Sequence, residues 1–331
     1  MLTKWGLIDM TSKIKNAVNK LLSTKQIGIL IPLILLIIAI GAIRPVFYST
    51  ANISAVIKSM AFIGIVAVGE TLVVLLGVTD ISVGSVAGLA AVTTCHFATK
   101  LQMHPVLAII CALCVAACVG LFNGVVIVKL KLPAFITTMG TMYIAKGINY
   151  VITKGYPIYP LPELLNKIGG AKIGRLSISF LVLIFFIIFF EFILKKTTYG
   201  RSIYAIGDNE QVAMLAGINV TNIKISVFML ASVLAGVGGI LTTLSLESGI
   251  STTGSGWELQ AIAATAIGGT SMMGGSGSMI GTLIGILILN ILNNGLVLIG
   301  VDTNWQTICV GIVMIIAVLL DIIRNQKKLR G

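Results

Sequence analysis

Apolar positions in this chain come in long, nearly uninterrupted blocks. They do not alternate as in a half-buried strand, nor form the single stripe of a soluble helix. A helix needs roughly 20 mostly apolar residues to cross a bilayer. About ten blocks approach that length: 27–43, 61–77, 82–98, 105–128, 134–152, 177–194, 223–242, 259–274, 279–299 and 306–323. The first, sixth and tenth are the clearest, whereas 82–98 and 259–274 are rich in Gly, Ala, Ser and Thr. Barrel strands would instead show alternating segments of about ten residues. In lipid only helices and closed barrels satisfy their own backbone groups. The pattern therefore predicts an all-α polytopic membrane protein with one transmembrane domain over 27–323. A cytoplasmic segment, 1–26, precedes it and a basic tail, 324–331, follows.

Composition agrees. Of 331 residues 57% are apolar and 10% charged, against about 25% charged in a soluble domain. The net charge of +12 would point to nucleic acid in a soluble protein. Here the cations lie between the blocks, so the positive-inside rule explains them and no nucleic-acid partner is expected. With the N-terminus inside, 15 of the 23 basic residues fall on the cytoplasmic side, including Lys129, Lys131, Lys195, Lys196, Arg201 and Lys224. Both termini are then cytoplasmic and the number of spans is even. The run 27–43 is longer than a signal-peptide core and has no cleavage site after it. Ile14, Val18, Leu21 and Leu22 share a face opposite lysines, which predicts an interfacial helix over 12–25.

Candidate chemistry is sparse. Cys111, Cys114 and Cys118 line one helical face, but His96 and His104 are the only histidines and sit on neighbouring spans. Packing is the simpler reading, and no metal is expected. No nucleophile–base–acid set is visible, so catalytic residues are expected to be absent. The stretch 268–277, Gly-Gly-Thr-Ser-Met-Met-Gly-Gly-Ser-Gly, lacks the Gly-Lys-Ser/Thr ending of a phosphate loop, and no strand precedes it. The chain should bind no ATP itself. That stretch instead predicts a break between the eighth and ninth spans, either a plain turn or part of a gate. Gly277, Gly281 and Gly285, and likewise Ala231, Ala235 and Gly239, form small-xxx-small rows suited to close helix packing.

The cytoplasmic loop of about 195–222 is long for a helix connection, and such loops are often functional. Asp208 can cap a helix with Gln211 at its third position, and Gly217 can end it, which predicts a helix over 209–216. Val212, Leu215 and Ala216 share its apolar face. The face suits docking in a partner's groove, or resting on the membrane surface.

Several motifs now bring a family into view. The run Gly200-Arg201-Ser202-Ile203-Tyr204-Ala205-Ile206-Gly207-Asp208-Asn209-Glu210 resembles the cytoplasmic loop of permeases in the ribose/galactose class of bacterial ABC importers. The spacing Glu210, Ala213, Gly217, followed by Ile218, is similar to a shortened coupling motif. Three further blocks resemble the same family: Gly77-Val78-Thr79-Asp80-Ile81-Ser82-Val83-Gly84, Leu132-Pro133-Ala134-Phe135-Ile136-Thr137-Thr138-Met139-Gly140, and the run from Glu258 to Leu296. Glu70 stands where the family block has an apolar residue after Gly69. The resemblance spans about 27–323 and implies a fold like that of type II ABC importer permeases. It further implies a paired, usually identical permease subunit in the bacterial inner membrane. A separate ATPase with two fused nucleotide-binding domains would use ATP and Mg, and an extracytoplasmic protein would deliver the sugar. Gly200, Arg201, Ala205, Gly207, Asn209, Glu210, Ala213, Gly217 and Ile218 would then contact the ATPase.

Polar groups inside spans are candidates for the pathway. Asp80 either caps the third span or acts as a gate, with Ser82 beside it. Lys146 and Glu191 can snorkel. Asn123, Asn290, Asn293 and Asn294 offer donors and acceptors to a neutral sugar, or bond neighbouring helices. Thr137, Thr138, Thr270 and Ser271 complete the pathway candidates. Sugar import is the leading expectation. A branched-chain amino-acid permease is the nearest alternative, and an ATP-independent secondary transporter a more distant one.

Overall fold

The computed structural model describes residues 25–174, 176–302, 304–312, 315, 316 and 319. The expected interfacial helix at 12–25 lies almost wholly outside these residues, as does the tail 324–331. The last expected span is described only in part, with 304–312 helical.

Helix α1 covers Lys25–Ile43 and a 3-10 turn, Pro45–Tyr48, leads into α2, Thr50–Leu75. Next come α3 (Val83–Thr99), α4 (Pro105–Lys129), α5 (Ala134–Thr153) and the short α6 (Glu163–Gly170). A two-stranded antiparallel hairpin, β1 (Lys172–Ile173) and β2 (Leu176–Ser177), precedes α7 (Ile178–Lys196). Then follow α8 (Thr198–Asp208), α9 (Glu210–Leu215), α10 (Val220–Leu246), α11 (Trp257–Ile267) and α12 (Met279–Ile299). Among the described residues α2, α4, α7, α10 and α12 are long and apolar enough to cross a membrane.

The bundle is built around α10. Of its apolar window 67% is buried, against 22% for α4, so α10 is interior and α4 faces outward. Small residues allow this crowding. Gly69 of α2 lies on the backbone of Ala231, Gly120 and Gly124 of α4 lie on Phe228 and Ile225, and Gly239 meets the Ala87 carbonyl of α3. The row Ala231, Ala235 and Gly239 therefore serves more than one neighbour, with α2 at one end and α3 at the other.

Three expectations change. Helix α2 begins at Thr50, not near 61. Its first turns are polar, which hid them, yet Ser49 accepts the Asn52 N–H and Ser54 bonds the Thr50 carbonyl, so they are helical all the same. The eighth block ends its helix at Ile267, giving 11 residues, about half a bilayer at roughly 1.5 Å per residue. Gly269, Gly274 and Gly275 adopt positive φ there, a region other residues enter with difficulty. Gly277 consequently lies outside α12 and packs on the Thr270 side chain, while Gly281 and Gly285 meet the α11 backbone at Gly268 and Ala264. Third, the 195–222 loop holds two helices. Asp208 closes α8, and Asn209 caps α9 by accepting the Val212 N–H at 3.1 Å. Gly217, with φ +82°, ends the pair as expected.

The contacts sort the connections into two ends. At one, Leu75, Gly207 and Gly275 meet, gathering the 76–82 turn, α8 and the 268–278 break. At the other, Ile158 pairs with Gly249, and Gly169 packs on Leu244.

Candidate functional site

The first cluster is a buried polar chain at the end that holds α8. Gly77, with φ +78°, turns the backbone after α2 and brings Asp80 inside. The Asp80 N–H donates to Glu70 Oε1 (3.1 Å). Asp80 Oδ1 accepts both the Ser82 N–H (2.8 Å) and its hydroxyl. Ser82 Oγ accepts from Asn123 Nδ2 (3.0 Å), whose Oδ1 accepts the Thr141 hydroxyl (2.6 Å). The Ile81 N–H donates to Thr138 Oγ1 (3.2 Å), whereas Thr137 bonds its own helix at the Pro133 carbonyl. Asp80 thus makes a local turn onto Ser82 just before α3 and does not bond an N–H of that helix, and it anchors a network tying α2, α3, α4 and α5 together. Asp80, Ser82, Asn123 and Thr138 are all fully buried within the subunit. Sequence spacing could not join them, because Asn123 and Thr138 come from separate helices.

The second cluster is the break between α11 and α12. Thr270 and Ser271 are buried in it, and Ser271 Oγ accepts the Met273 N–H. The Gly275 N–H donates to the Leu75 carbonyl (3.0 Å). Gly207 of α8 lies so close to Leu75 O and Gly275 N that a side chain there would collide with backbone. Two residues outside the sequence-derived set also reach this segment. The Tyr204 hydroxyl donates to the Gly277 carbonyl (2.9 Å), and Glu191 accepts the Met279 N–H (2.8 Å) while pairing with Lys195. Burial, with the Glu191 carboxylate adding to it, pushes the Tyr204 hydroxyl up to about 12, so it remains a donor throughout the physiological range. The signal for Tyr204 was the spacing Tyr199, Ile203, Ile206 behind Thr197, which caps α8 through the Gly200 N–H. Gly200 and Gly207 obscured that helix because glycine is a poor helix former; both sit where backbones nearly touch.

The loop residues divide by exposure. Ile203, Ile206 and Ala213 are buried, whereas Val212, Met214 and Leu215 are open, Leu215 at 88%. Arg201 is exposed, and Ala205 and Ile218 are partly covered. Glu210 pairs with Lys224, fastening α9 to α10.

Asn290, Asn293 and Asn294 lie along α12, away from both clusters. Asn294 and Asn52 of α2 exchange reciprocal amide hydrogen bonds (3.0 and 2.9 Å), and Asn290 pairs with Ser59. Asn293 has a buried Oδ1 with no hydrogen-bond partner among the described residues. It shares a small cleft with Asn290, Gln260 and Ile63. Cys111 is half-buried and Cys114 and Cys118 are exposed on α4, and no metal-binding group of His, Cys, Asp or Glu occurs among the described residues.

A glycine-lined bundle with five helices long and apolar enough to cross a membrane, and an exposed helix pair at one end, is the architecture of a polytopic membrane protein. A family described as the branched-chain amino acid transport system permease component matches residues 52–318, and the chain belongs to it. The ribose import permease RbsC of Escherichia coli (strain K12) is 39% identical over 303 residues, covering 90% of this chain and 93% of that one. Its namesake from Bacillus subtilis (strain 168) is 37% identical over 302 residues, with coverages of 90% and 92%. The fructose import permease FrcC of Rhizobium meliloti is 33% identical over 301 residues, covering 88% and 84%. No solved structure matches the chain.

Proposed function

We propose that this chain is the membrane subunit of an ATP-driven importer and that its cargo is a monosaccharide such as ribose or galactose. The observation that carries the cargo class is the 37–39% identity, nearly end to end, with ribose import permeases. Two copies form the translocation unit in the bacterial inner membrane. An ATPase with two fused nucleotide-binding domains lies beneath them and uses ATP and Mg. An extracytoplasmic binding protein supplies the sugar. The exposed Val212, Met214 and Leu215 of α9 are the surface on which the ATPase docks, since an apolar patch rimmed by the polar Asn209, Glu210 and Gln211 marks an interaction site. The cleft of Gln260, Asn290 and Asn293 borders the path, because amides supply both donors and acceptors to sugar hydroxyls.

Uptake in vesicles tests both parts. Ribose or galactose should accumulate in an ATP-dependent way, with leucine failing to compete; accumulation of leucine instead would move the chain to the amino-acid class. Ala213→Arg places a long cation in a buried contact, and Gly217→Val forces a branched residue to positive φ. Each should cut uptake by at least about tenfold, through α9, while the subunit still inserts.

A further inference from the structure

Helices α8 and α9 are tied to α10 by the Tyr199–Ser226 hydrogen bond and the Glu210–Lys224 pair. Helix α8 continues from α7 and leans on it through Gly200. At its far end its polar and closest contacts go to the irregular segment between α11 and α12. Two of them are independent, and α7 adds a third. The Tyr204 hydroxyl donates to the Gly277 carbonyl at 2.9 Å. Gly207 lies backbone to backbone against Gly274, Gly275 and Leu75. Glu191, one turn before the end of α7, accepts the first N–H of α12 at Met279. The C-terminal end of the break is thus held by Tyr204 from α8 and by Glu191 from α7.

We propose that Tyr204 and Glu191 are positioning residues that clamp the 268–278 break to α7 and α8, so that a displacement of the cytoplasmic helices moves this break. The proposal rests on α8 and α9 being the ATPase-facing elements, and it adds which bonds carry the movement inward. The physical reason is stiffness. Residues 268–278 have no helical ladder of their own, and glycines at positive φ make them deformable. A segment of that kind follows whatever holds its backbone. The Gly277 carbonyl and Met279 N–H flank Ser278, the cap residue of α12, so the two bonds grip the point where α12 begins. The break also touches the end of α2 through the Gly275–Leu75 bond and the 76–82 turn through Gly77, which lies against Met273 and Gly274. Movement there therefore reaches the Asp80 network as well.

The test follows the break directly and needs no knowledge of the sugar. Met273, 74% exposed on the break, is changed to cysteine after the five native cysteines are replaced by serine. The permease, assembled with its ATPase in inside-out vesicles, is labelled with a membrane-impermeant maleimide, with and without ATP plus vanadate. The labelling rate should change at least about threefold on nucleotide trapping, and Tyr204→Phe should abolish most of that change. An ordinary hydrogen bond is worth about a fivefold shift in an equilibrium. Glu191→Gln keeps an oxygen acceptor for Met279 and should retain the change; Glu191→Leu should lose it. Parent-like labelling in Tyr204→Phe overturns the proposal, as does a parent protein whose labelling ignores ATP while the ATPase is bound. Failure of Tyr204→Phe to assemble also counts against it, since the phenyl ring preserves the packing. Cross-linking of Leu215→Cys to the ATPase is measured in parallel. Its absence would overturn the docking surface, whereas its presence with unchanged Tyr204→Phe labelling overturns only the clamp.

Discussion

Glu70 shows how one residue depends on a neighbour remote in type but near in space. It is fully buried in α2, and its Oε1 holds the Asp80 backbone while Oε2 has no partner among the described residues. No ion pair with Lys or Arg compensates it among the described residues. An isolated buried charge is costly. Glu70→Gln keeps an acceptor for Asp80 and should give a complex that purifies in parent yield. Glu70→Leu removes the acceptor and leaves the buried Asp80 N–H unpaired, and should destabilise by about 1–3 kcal/mol; thermal unfolding in detergent reads the difference. The asparagines separate in the same way. Asn294→Leu breaks a reciprocal amide pair and should lower thermal stability by about 1 kcal/mol. Asn293→Leu removes an Oδ1 that has no hydrogen-bond partner among the described residues and should instead lower sugar flux. Equal flux in Asn293→Leu and parent would remove Asn293 from the path.

At the scale of elements, α11 and α12 turn the glycine rows into geometry. Gly281 sits on the Gly268 carbonyl and Gly285 on that of Ala264, so these helices approach backbone to backbone. Gly281→Leu must push α12 away from α11. It should lower the yield of assembled complex severalfold, measured by co-purification with the ATPase. Gly277 was grouped with these two from spacing alone, but the helix starts after it, so a side chain there meets Thr270 rather than α11. The row read from sequence was periodic; the break interrupts the period before it can act as a helix face.

Across the whole molecule, alternation of the helices places the 76–82 turn, α8, α9 and the 268–278 break at one end. Segment 155–170 and Gly249 lie at the other, and from Gly249 the chain runs back along α3, with Thr253 on Gly88 and Gly254 on Gly84. In the orientation proposed from the charge pattern the first end faces the cytoplasm. Reporter fusions after residue 331 and within 155–175 should therefore report opposite sides of the membrane. A C-terminal reporter found outside would overturn the even number of spans. Most apolar blocks recur as helices, among them α4, α7, α10 and α12, because length and hydropathy suffice to define a segment that must bury its backbone in lipid.

Sequence alone determined the class of protein, the family motifs, the order of the main helices and the expected polarity of the two ends. These follow from local composition and from charge, and neither needs a neighbour. It also marked the glycine-rich break and the Gly217 stop, since glycine at positive φ is a local requirement. Tertiary structure decided where α11 ends, that α8 exists, and that Asn209 rather than Asp208 caps α9. It likewise decided that Asp80, Ser82, Asn123 and Thr138 form one network with Glu70, and that Tyr204 reaches Gly277. Glycines inside α8 argue against a helix until Leu75 and Gly275 are seen pressed against one of them. Bonds between residues dozens of positions apart depend on how helices pack, and packing is set by the whole bundle rather than by any one segment.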